Sequence, residues 1–120
     1  MKQELEFHWH RCKPYIQDAL DAAGNLFILS DVWALVESGK AQFWPGFECA
    51  IVTEVNDYPQ KRVLNVWLGG GKLEEILTME PHIRQFAKNS ACELILIQGR
   101  PGWKKIFKMK QIGVILCSEV

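Results

Sequence analysis

The chain has 120 residues, with 14 Lys and Arg against 14 Asp and Glu, and 48% hydrophobic residues. That is one domain's worth of chain, able to bury a core without disulfides or metal, and too apolar to be disordered. A formal net charge of zero excludes the chain-wide basic field that drives bulk binding to nucleic acid or membrane. The balance is uneven along the chain. No acid falls between Leu94 and Ser118, while Arg100, Lys104, Lys105, Lys108 and Lys110 cluster there.

In chain order, Pro14 suits the first turn of a helix. Tyr15, Ile16, Ala19, Leu20 and Ala23 follow at helical spacing, and Gly24 is a C-terminal stop. The preceding His8-Trp9-His10-Arg11-Cys12 has no distant ligand pair, so no metal site is expected. Ser30 reads as the N-cap of a second helix, with Asp31 at its positive end, a face of Val32, Leu35 and Val36, and Gly39 as terminator.

Glu48–Val55 and Arg62–Leu68 are rich in Val, Ile and Trp, and Asn56–Gln60 between them is turn chemistry, so an antiparallel hairpin is expected. Alternation puts Leu64, Val66 and Leu68 on one face and Val63, Asn65 and Trp67 on the other. Gly69-Gly70-Gly71 breaks the strand, and Lys72–Asn89 reads as a helix kinked or split at Pro81. Cys92–Gln98 is a short strand, Gly99–Gly102 a turn, Trp103–Lys110 a short basic helix and Ile112–Cys117 a last strand. The fold class is α/β or α+β: a mixed, mostly antiparallel sheet with flanking helices, in one domain.

Two stretches carry binding chemistry. The strand–glycine–helix junction, Gly69 to Lys72, brings a glycine-only backbone to a helix start, where free N–H groups suit a phosphate or pyrophosphate. The structural alternative is a tight turn needing positive φ. Gly99-Arg100-Pro101-Gly102-Trp103-Lys104-Lys105 joins a sharp turn to bases that meet phosphates and an indole that stacks or packs. Glu54 on the hairpin, Asp57 in its turn and His82 beside Pro81 are the candidate proton-transfer groups, none of them in a recognisable nucleophile–base pair, and a surface role is the default for Glu54 and Asp57. Cys12, Cys49, Cys92 and Cys117 show no CxxC spacing. They read as free, mostly buried thiols of a reducing compartment. Met1–Arg11 is unlike a signal peptide, and no apolar run reaches the roughly 20 residues of a membrane span. A cytoplasmic protein with no membrane partner is expected.

The chain resembles small GNAT-like (Gcn5-related N-acetyltransferase fold) proteins of phage and prophage gene sets. The likeness runs from about Ser30 to Cys117. It rests on the helix Asp31–Gly39, the hairpin with Ala50-Ile51-Val52-Thr53-Glu54 and Val63–Leu68, the triple glycine opening a long helix, Phe86-Ala87-Lys88 before Cys92–Ile97, and above all Gly99-Arg100-Pro101-Gly102-Trp103-Lys104-Lys105. The resemblance implies an abbreviated GNAT fold. It implies an acyl-CoA, such as acetyl-CoA, held at Gly69, Gly70, Gly71 and Lys72 with Arg100, Trp103 and Lys104, and Glu54 as base toward a small-molecule or protein amine. It departs from the family in three ways: the acyl-CoA loop is shortened, Phe107 stands where many members carry a Tyr acid, and Arg62–Leu68 lacks an acid. The second reading, in the host cytoplasm or the virion, is a catalytically inactive GNAT-fold phage protein. It would act in virion assembly beside a structural protein, or bind nucleic acid weakly through Arg100–Lys110.

Overall fold

The computed structural model describes residues 2–99 and 103–120, without the side chains of Lys105 and Ile106. The first helix, α1 (Lys2–Ala22), begins well before Pro14. Its buried face is Trp9, Cys12, Ile16, Ala19 and Leu20, a helical stripe that overrides the proline. Pro14 sits on the exposed side, where the missing N–H removes one rung without disturbing the packed face. Gly24 (φ +89°) and Asn25 (φ +56°) end the helix, and the Asn25 N–H reaches back to the Leu20 carbonyl at 2.9 Å.

Helix α2 (Leu29–Glu37) is capped by Ile28, not Ser30. Asp31 lies in its first turn and accepts the Ile28 N–H at 2.9 Å, so the expected acid is right and the expected cap is not. Gly39 at φ +81° follows the helix end.

The sheet is mixed, in the order β1-β2-β3-β4. Strand β1 (Gln42–Pro45), unforeseen in the sequence, runs antiparallel to β2 (Cys49–Asp57). Strand β2 pairs antiparallel with β3 (Arg62–Gly71), and β3 pairs parallel with β4 (Leu94–Ile97). The β2–β3 hairpin closes where the Tyr58 N–H meets the Lys61 carbonyl (2.9 Å) and Arg62 pairs with Asp57 (2.7 Å). Helix α3 (Leu73–Asn89) is one span rather than two, with Pro81 exposed. It buries Ile76, Ile83 and Ala87, while Leu77, expected on that face, stays partly exposed.

The sheet divides the core. On one face α1 and α2 cover Ala50, Val52 and Leu68; on the other α3 covers Cys49, Ile51, Leu64 and Val66. A short helix, α4 (Trp103–Phe107), adds Trp103 and Phe107 to the α3 side. The expected last strand is absent: residues 109–120 have no regular structure. Cys117 is exposed and Cys92 half-buried, so only Cys12 and Cys49 are the buried thiols expected. Among the described residues no helix is long and apolar enough to cross a membrane.

Candidate functional site

The parallel pair β3–β4 is short. Val63–Val66 pair with Leu94–Ile97, and there the ladder stops, with a last Gln98 N–H to Val66 carbonyl contact at 3.4 Å. One residue later β3 carries a bulge. Val52 pairs with Leu68 and Thr53 with Val66, so Trp67 has no partner on β2. The extra residue reverses the alternation. Leu64 and Val66 face α3, but Leu68 joins Trp67 on the α1 side, which corrects the single face expected for Leu64, Val66 and Leu68. From Leu68 to Gly71, β3 keeps β2 along one edge; its other edge has no strand partner among the described residues.

The three glycines belong to that stretch. They do not break the strand: Gly69, Gly70 and Gly71 pair with Ile51, Ala50 and Cys49. Each has its own reason to lack a side chain. A Cβ on Gly69 would lie 2.4 Å from the Trp103 ring, and one on Gly70 would lie 2.2 Å from the Tyr15 carbonyl oxygen of α1. Gly71 adopts φ +102°, beside the Glu48 carbonyl. Packing and backbone shape account for the run without a ligand.

Trp103 fills the gap where β3 and β4 part. Its ring lies against Gly69 and Gly99, at 2.4 and 2.8 Å from where their Cβ atoms would be. It meets Phe107 as a tilted pair with centroids 5.8 Å apart. What is left of the apolar slot between Ile76, Ile83, Ile95 and Ile97 is ≈ 20 Å³, enough for about one water. Lys104 is exposed on α4. Arg100 lies outside the described residues.

The start of α3 is an acidic corner. Lys72 gives its ammonium to Glu48 (2.9 Å) and its N–H to the Glu48 carbonyl (2.8 Å). The Glu75 Oε1 accepts both the Glu48 N–H and the Cys49 thiol, each at 3.0 Å. Cys49 also lies 3.4 Å from the Met79 sulfur. Burial, then the bond to Glu75, pushes the Cys49 thiol up to about 12. That same bond, helped by the Glu48 and Phe47 N–H groups, holds Glu75 below the usual carboxylate range. With Glu74 also in the first turn, the protein's own carboxylates complement the positive helix end by charge, with no side-chain hydrogen bond at its cap. A pyrophosphate at this corner would meet Glu48, Glu74 and Glu75 with Lys72 already paired.

Glu54 lies on the opposite face of the sheet from Trp103. It stands directly across from Asn65, whose Nδ2 donates to the Glu54 Oε1 at 3.4 Å. Asn65 is 5% exposed, and its Oδ1 has no hydrogen-bond partner among the described residues. The only sign of this pair in the sequence is an amide within an apolar strand. Of the other proton-transfer candidates, Asp57 is tied to Arg62 and His82 is exposed on α3. His8 accepts from Arg11 at 3.0 Å. Among the described residues no three His, Cys, Asp or Glu side chains gather as a metal site.

No family model, curated protein or solved structure matches this chain. Apart from Lys104, the described residues expected to bind a cofactor lie in three places. Gly69 and Trp103 touch, Gly70 backs onto α1, and Gly71 and Lys72 join the acidic corner. Glu54 is across the sheet from Trp103 and shares the α1 face with Gly70.

Proposed function

We propose that the chain is a GNAT-like domain of the phage type that works without acyl-CoA, as an inactive scaffold for contacts with other macromolecules. The observation that carries this reading is Trp103. It fills the gap between the parting strands, against Gly69 and Gly99, where the expected acyl-CoA arm would have to lie. The carboxylates of Glu48, Glu74 and Glu75 oppose a pyrophosphate at the other end of that path. Phe107 has no hydroxyl to protonate a leaving thiolate. Residues arranged in this way do not fit acyl-CoA. Titration calorimetry with acetyl-CoA tests the reading. No heat of binding at millimolar ligand is expected from the native chain or from Trp103→Ala; saturable binding by the native chain overturns it. Lys104, Lys108 and Lys110 are exposed and give the scaffold a basic margin, so weak, steeply salt-dependent nucleic-acid binding is expected. Charge reversal at the three positions removes a low-salt gel shift if that margin is the contact.

The alternative is acyl-CoA-dependent transfer to an amine. It is favoured by the unpartnered edge of β3 beyond the bulge, which can offer backbone donors to an extended ligand, and by Glu54 as a proton acceptor. Saturable acetyl-CoA binding by Trp103→Ala alone would mean that the indole blocks an otherwise competent site, and would favour this alternative.

A further inference from the structure

The last ten residues leave two things unpaired. Ile112, Val114, Ile115 and Leu116 are 70–88% exposed. Their backbone makes no hydrogen bond to the rest of the described chain. This is a run of strand-forming residues in water, which is costly and prone to pairing. The sheet, meanwhile, ends on β4, with β3 on one side only. Its four residues, Leu94–Ile97, present an edge with no strand partner among the described residues, and Leu94 is 40% exposed. Strand β4 has no proline, lysine or bulge, and its shortness is the one such device it carries against edge-to-edge pairing.

We infer that residues 112–117 of one copy add as a fifth strand to the β4 edge of a second copy, and the reverse, giving a two-fold dimer by strand exchange. Three observations select a second copy as the occupant. In the folded single chain the run lies free of its own sheet, so edge and strand are both unsatisfied at once. The chain has a formal net charge of zero, so two copies approach without net repulsion. The charges also match in a parallel alignment. Glu93 is exposed just before β4 and Lys110 just before the run, and setting Gln111 beside Leu94 of the other copy brings Lys110 opposite its Glu93. An exchange made twice covers two apolar strands and two sheet edges, on the order of the 1,200–2,000 Å² of a specific interface. The inference depends on neither functional reading above.

Light scattering on the full chain and on a chain ending at Gln111, with hydrogen exchange at the tail amides, tests it. The full chain is expected to be a dimer with protected amides in residues 112–117, and the shortened chain a monomer that still melts cooperatively. Ile115→Pro, which removes a ladder donor inside the run, should weaken association by about 100-fold or more. A monomeric full chain overturns the inference. Protected tail amides would then mean that the run closes on its own sheet, and unprotected ones that it stays free. A dimer that survives both the truncation and Ile115→Pro overturns it as well.

Discussion

Gly70→Ala is the sharpest probe of why the glycine run exists. The new Cβ would lie 2.2 Å from the Tyr15 carbonyl oxygen and 3.0 Å from its carbon, more than about 1 Å inside ordinary contact. The atom in the way is backbone, in the middle of a 21-residue helix, so no rotamer change relieves it. Helix α1 must lift from β3, and lifting it loosens Cys12, Ile16 and Leu20, all within 1% of full burial. Overpacking of this kind costs about 1–3 kcal/mol, and the rigid neighbour puts this case at the upper end. At roughly 4 °C per kcal/mol for a chain of this length, the melting temperature falls by about 10 °C. Gly69→Ala makes the contrast. Its Cβ meets the far end of the Trp103 ring at 2.4 Å, and the indole can swing out of the gap. A loss of about 1–2 kcal/mol is expected for exposing a half-buried indole, with a red shift in tryptophan emission. Circular dichroism melts and emission spectra of the two variants decide the matter. If Gly70→Ala melts with the native chain, the close approach of α1 to β3 is refuted. If both variants keep full stability, the packing account of the run fails, and a ligand-binding role for the glycines regains its force.

Alkaline pH should weaken the fold through Cys49. An unfolded thiol ionises near its ordinary value of 9.0, whereas the folded state keeps the proton up to about 12. The unfolded state then binds fewer protons than the folded one. Stability is full below pH 9 and declines above it, by about 1.4 kcal/mol per pH unit for this one thiol. Urea midpoints measured on either side of pH 9 should show the decline, and Cys49→Ala should flatten it; an equal slope in the variant contradicts the assignment. Asn65→Leu should leave stability unchanged or raise it, because it removes a buried carbonyl without a partner. A loss above about 1 kcal/mol by urea unfolding would show that the amide is satisfied after all. Pro14→Ala restores a helical N–H on the exposed side of α1 and should stabilise by about 1–3 kcal/mol, read as a rise in melting temperature; no rise would mean that the proline's stiffening of the unfolded chain offsets the missing rung.

The elements with strong periodicity were legible in the residues. The hairpin, the long helix after it, the short strand at Leu94–Ile97 and the mixed sheet follow from apolar spacing and turn chemistry. The departures have local causes. Pro14 is a strong helix-start signal, but Trp9 and Cys12 already lie on the stripe that α1 buries, and tertiary burial decides. Strand β1 has four residues and ends in proline, too short for period two to register. The site was harder. Glycine in a row reads as a phosphate cradle or as a turn, and only the positions of Tyr15 and Trp103 show that packing gives Gly69 and Gly70 their own reason to lack a side chain. Glu54 was legible as a carboxylate on a strand, but its partner was not, because the pairing of Glu54 with Asn65 is a matter of register.

Trp67 acts as a parity bit in β3. Every residue after it is read on the opposite face from the one that strict alternation assigns. Deleting that single position would close the bulge: Leu68 would follow Val66 directly and stay under α1, with Gly69 still toward Trp103 and Gly70 still under α1. The strand should therefore accept the loss of Trp67 without exchanging its two layers, and what the deletion removes is the indole's own packing on the α1 side.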